Sequence, residues 1–113
     1  MNYLPSKELV SEVLGHKVWK VLGCNMGTLR YCIYPNKGDE PSEYMFPINI
    51  YELAHKCKEW AYKRGFLIGS NCRQGITVID INTHTVLNHF DVDIEDFTEF
   101  EIKACQWILD NKD

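Results

Sequence analysis

The sequence is short of the features by which small proteins announce their chemistry. No Cys-x-x-Cys pair occurs, and the five cysteines (Cys24, Cys32, Cys57, Cys72 and Cys105) are odd in number and widely spaced. That argues against a disulfide framework and against a zinc ribbon or thioredoxin-type site. The cysteines read instead as small apolar core side chains in a reducing compartment. No stretch approaches the ~18 apolar residues of a membrane span, and Met-Asn-Tyr-Leu-Pro-Ser-Lys lacks the apolar run of a secretory signal. A cytoplasmic, non-membrane protein is the expectation. No glycine-rich phosphate loop and no Gly-x-Ser-x-Gly elbow is found. No catalytic residue, cofactor or metal ligand is therefore assigned, and the expectation is a non-enzymatic protein.

What is present suits one folded domain, residues 1–113. Of 113 residues, 45% are hydrophobic, 12% aromatic and 25% charged, so a core can form without metals or staples. The only candidate linker, residues 35–43, is too short to separate two domains.

The local signals order themselves as α-β-β-β-α-β-β-β-α. Ser6 can cap a helix carrying Leu9, Val10, Val13 and Leu14, which Gly15 can end. Strands are expected at 17–22, 28–34 and 44–48, the last interrupted by Pro47, with a turn over Gly23–Gly27. Asn49 and Glu52 form a capping-box pattern, with Ile48 and Leu53 placed as a hydrophobic staple. The helix they start puts Leu53, Ala54, Cys57, Trp60 and Ala61 on one buried face and ends at Gly65. Strands follow at 66–70, 76–81 and 85–90, the last two a hairpin around Asn82, Thr83 and His84. Thr98 and Glu101 repeat the capping box, with Phe97 stapling to Ile102, before a closing helix whose apolar face is Ile102, Cys105, Ile108 and Leu109. The fold class is α+β: a mixed or largely antiparallel sheet covered by two main helices.

Charge is uneven around a net of −4, a balance that disfavours nucleic acid and anionic lipid as partners of the whole chain. From His55 to Arg73 five bases (Lys56, Lys58, Lys63, Arg64, Arg73) face one acid, Glu59. Their interleaving with Trp60 and Tyr62 gives a second reading, a nucleic-acid-binding module; yet Trp60 falls on the buried face and the lysines on the wet one. From Asp91 to Asp113 eight acids face Lys103 and Lys112. Asp91-Val-Asp93-Ile-Glu95-Asp96 has the spacing of the first ligands of a calcium loop but fails it, with Asp96 where the turn glycine belongs and Ile102 in place of the bidentate Glu. His89 and Asp91 share a strand face, the only pair to name for a third reading as a small enzyme or metal protein; His84 has the opposite parity. The leading reading is binding to a protein through Asp91, Asp93, Glu95, Asp96 and Glu99, with the loop at Asp39 and Glu40 a weaker contact.

Two patterns carry a resemblance over residues 49–113. They are Leu53-Ala-x-x-Cys57-Lys-Glu-Trp60-Ala-x-x-x-Gly65-Phe66 and Phe100-x-Ile-Lys103-Ala-Cys105-x-Trp107-Ile-Leu. In both, the chain resembles a loose group of small uncharacterised bacteriophage and prophage accessory proteins. It departs from them at Glu99-Phe100-Glu101, where such proteins often carry Glu-Ala pairs. The resemblance implies no functional residues. It implies a context in which a small acidic protein binds a basic host protein, one of defence or nucleic-acid handling, and inhibits it.

Overall fold

The computed structural model describes residues 3–34, 44–71 and 75–111. Helix α1 (Lys7–Leu14) starts where Ser6 accepts a hydrogen bond from the Leu9 N–H at 3.1 Å, and stops at Gly15, whose φ of +74° lets its N–H return to the Ser11 carbonyl. Strand β1 (Val18–Asn25) then runs three residues further than its sequence pattern predicts. The turn is confined to Met26 and Gly27, both at positive φ, which is the two-residue hairpin geometry whose twist matches the flanking strands. Two register shifts in β1, one between Val18 and Lys20 and one between Val21 and Gly23, absorb its extra residues. β2 (Thr28–Ile33) pairs antiparallel with β1 and with β3 (Phe46–Asn49), and Pro47 is accommodated because β3 is an edge strand.

Asn49 ends β3 and caps α2 (Ile50–Lys63) by accepting from the Tyr51 N–H at 2.8 Å. The return half of the expected capping box, from Glu52, is not formed among the described residues. The Glu52 carboxylate instead lies near Tyr31, where burial first and this charge second push the phenol above its ordinary pKa. Ile48 and Leu53 are both buried in one core, as the staple requires.

β4 (Phe66–Asn71), β5 (Gly75–Asp80) and β6 (Thr85–Phe90) form a second antiparallel sheet in that order. The β5–β6 turn is held by Asp80, whose Oδ1 accepts from the N–H groups of Asn82 and Thr83. A single 3₁₀ turn, Ile94–Asp96, leads without a break into α3 (Phe97–Asn111). Thr98 therefore lies inside the helix and is not its cap. The chain leaves extended geometry at Asp93 instead, and Glu101 is freed for a different use.

The fold is α+β in the expected order, and its sheet is divided in two. Each half is an antiparallel meander; α2 touches both, through β3 and β4, while α3 packs on α2, β4 and β5. Leu9 and Val10 of α1, Leu29 and Ile48 of the first sheet, Ile76 and Val78 of the second, and Leu53, Ile102 and Ile108 of the long helices join in one buried cluster. Trp60 is only half-buried at its margin, with the Arg64 guanidinium 4.5 Å above its ring. Among the described residues no helix is long and apolar enough to cross a membrane.

Candidate functional site

The acidic segment is placed by two backbone events. At its start, Gly75 approaches β6 so closely that an added Cβ would lie 2.1 Å from the Phe90 carbonyl oxygen and 2.9 Å from the Val92 nitrogen. That contact fixes where the chain leaves the sheet. At its end, the 3₁₀ turn points the chain into α3, with the Asp96 N–H bonded to the Asp93 carbonyl at 2.9 Å. Between them Asp91, Asp93, Glu95 and Asp96 all stand exposed, and none forms an ion pair among the described residues. Ile94, 66% exposed, projects from their midst. Acids at the start of a helix are matched to its dipole, which accounts for their presence but not for an apolar side chain left in water among them. Glu99 differs from the other four. It is half-buried, 3.6 Å from the Lys103 ammonium, and accepts from the Tyr3 N–H at 3.4 Å.

Half of the basic set on α2 is engaged within the fold. Lys58 Nζ lies 2.9 Å from Glu101 Oε2, and Arg64 Nη2 lies 3.0 Å from Glu12 Oε2. Lys56 and Lys63 remain without an ion pair among the described residues, and Arg73 lies outside them, as do Asp39 and Glu40. The aromatic needed for base stacking, Trp60, already carries Arg64 on its ring.

Glu101 is the one charged residue buried among those described, 8% exposed. Its Oε2 accepts from Lys58 Nζ at 2.9 Å and from Ser70 Oγ at 2.7 Å, so one carboxylate joins α3, α2 and β4. Lys58 balances its charge, and the arrangement works as a tie between the three elements. A sequence signal for it existed: Glu101 stands four residues before Cys105 and seven before Ile108, on the buried stripe of α3.

Cys57 and Cys105 meet across the α2–α3 interface, fully buried, with Cys105 Sγ donating to the Cys57 carbonyl at 3.5 Å. The Cys105 thiol is pushed far above its ordinary pKa, first by its contact with the Cys57 thiol and then by burial. The Tyr3 phenol is likewise pushed far up, by burial first and by Asp110 next. Both groups stay protonated in the folded chain while the unfolded chain releases their protons from about pH 9 upward. Their contribution is complete below that pH and is lost as pH rises through the alkaline range. Thermal melts from pH 7 to 11 should show the melting temperature falling above pH 9, and Tyr3→Phe should make the fall shallower.

His89 Nδ1 lies 3.1 Å from Thr77 Oγ1, and among the described residues no three His, Cys, Asp or Glu side chains gather as a metal site. A wide groove of about 1050 Å³ runs between α1, the start of β1 and the end of α3, walled by Trp19, Tyr34 and Leu109. Two of its polar side chains serve its own walls: Ser11 Oγ accepts from the Val18 N–H and donates to the Lys7 carbonyl, while Gln106 accepts from the Ser6 N–H and donates to Asp110.

No protein-family model, no curated protein and no solved structure matches the chain.

Proposed function

We propose that the chain acts by binding a protein through the segment from Asp91 to Asp96. One observation carries this reading: four exposed carboxylates, without an ion pair among the described residues, surround an exposed isoleucine. Charges left unpaired cost nothing in desolvation until a partner arrives, steer it from a distance, and let Ile94 supply the apolar anchor. The partner is accordingly basic, with a small apolar pocket. A groove built to hold nucleic acid has such a surface, and a host protein of that kind is the target that the resemblance to phage accessory proteins implies. Glu99 falls out of the contact set because Lys103 and Tyr3 already hold it. The engagement of Lys58 and Arg64 favours this reading over the nucleic-acid one.

The test is a pull-down from the native host, followed by affinity measurements on the captured protein. Asp93→Lys, Glu95→Lys and Asp96→Lys together should weaken binding by at least about tenfold, and added salt should weaken the parent complex mainly through slower association. An identified partner whose affinity is unmoved by the triple change would refute the proposal.

A further inference from the structure

The second sheet has two faces of different character. Its inner face buries Ile68, Ile76 and Val78 under α2 and α3. On the outer face the register aligns Leu67, Ile79 and Val86 in one row across all three strands, with Gly69, Thr77 and His89 in the next. Leu67 is 45% and Val86 58% exposed. None of these six positions is Asp, Glu, Lys or Arg, although 25% of the chain is. A sheet with one wet face ordinarily turns polar side chains outward and places charges on its edge strands. Here both edges, β4 and β6, present an aliphatic side chain in the same row.

We infer that this face is covered by a second copy of the chain in a two-fold dimer. A two-fold contact sets one patch against itself, so a patch with an excess of one sign of charge repels its own copy. The chain carries a net charge of −4, and these six uncharged positions add no like-charge contact of their own. Two such faces stack about 10 Å apart with their aliphatic rows interdigitated, giving a four-layer helix–sheet–sheet–helix body. Three strands of six residues span about 20 by 15 Å, and Tyr62, 63% exposed and beside Leu67 along one cleft, extends the patch. A footprint of about 300 Å² per copy is well short of the ~800 Å² per partner of a stable specific interface. The dimer is therefore weak and concentration-dependent, with a dissociation constant of roughly 10 to 500 μM.

Sedimentation equilibrium from about 1 μM to 1 mM tests this. The expected result is a rise from the 13.2 kDa monomer toward twice that mass. Val86→Lys, at an exposed position whose folding is checked by circular dichroism, should hold the chain monomeric throughout. The Asp93, Glu95 and Asp96 reversals should leave the dimer in place, which separates this contact from the acidic one. A chain that stays monomeric at 1 mM overturns the inference, as does a dimer that survives both Val86→Lys and Leu67→Lys. So does a monomer whose Val86→Lys variant loses the partner captured by the acidic segment, since the face would then belong to that partner.

Discussion

Gly75→Ala should destabilise the protein by more than about 3 kcal/mol, the largest effect of a glycine-to-alanine change among the described glycines. Two costs coincide there. The backbone sits at φ +92°, a conformation that L side chains rarely adopt, and the new Cβ would come within 2.1 Å of the Phe90 carbonyl. The obstacle is backbone, so no rotamer change relieves it. Either β5 separates from the end of β6 or the chain from Phe90 to Val92 moves. Gly69→Ala in the same sheet is the control: its Cβ meets nothing within 4 Å, and the change should cost less than about 1 kcal/mol. Urea unfolding curves of the two variants should differ by at least 2 kcal/mol; equal midpoints would mean that β6 has room to yield. Because the same contact fixes where Asp91 leaves the sheet, Gly75→Ala should also weaken partner binding while leaving every acid in place.

The second large effect is asymmetric. Lys58→Met removes the cation from a carboxylate that is 8% exposed and leaves Glu101 with Ser70 as its remaining partner, a loss of about 2–4 kcal/mol. Glu101→Gln leaves behind a lysine whose side chain is 39% exposed and can turn to water, so it should cost about half as much. Changing both, Lys58→Met with Glu101→Met, removes the buried charge and its partner together and should be milder than Lys58→Met alone. Chemical denaturation of the three variants gives the cycle. Additive losses would show that the two groups act independently and that the tie is not one.

Signals spanning a few residues were readable in the sequence, and signals spanning many were not. The Ser6 and Asn49 caps and the Gly15 stop depend on neighbours within one turn, and they formed as the spacing predicts. Thr98 and Glu101 offered the same pattern. There the chain turned helical earlier, at the 3₁₀ turn after Asp93, and Glu101, on the buried stripe with Cys105 and Ile108, found Lys58 and Ser70 at a distance in sequence. The same preference for distant partners took Lys58 and Arg64 out of the basic patch, while Glu99 is held out of the acidic one by Lys103 one turn on and by the distant Tyr3 N–H. The division of the sheet into two meanders was illegible for a related reason: strand pairing depends on where α2 carries the chain, and no residue in the strands records it. The exposure of Ile94 follows from the 3₁₀ turn, which twists it away from the stripe it would join in a continued helix.

The two meanders pair only strands that follow one another along the chain. Each can form from its own stretch of sequence, with modest loops to close. The bond from the Ser6 N–H to Gln106, across a separation of 100 residues, is of another kind, because it joins the first helix to the last. Closing so long a loop brings an entropic cost that local pairing avoids. On loop-closure grounds, docking of α1 on α3 is thus disfavoured until the rest of the chain is in place, and the groove between them lies along the contact that this cost weakens most.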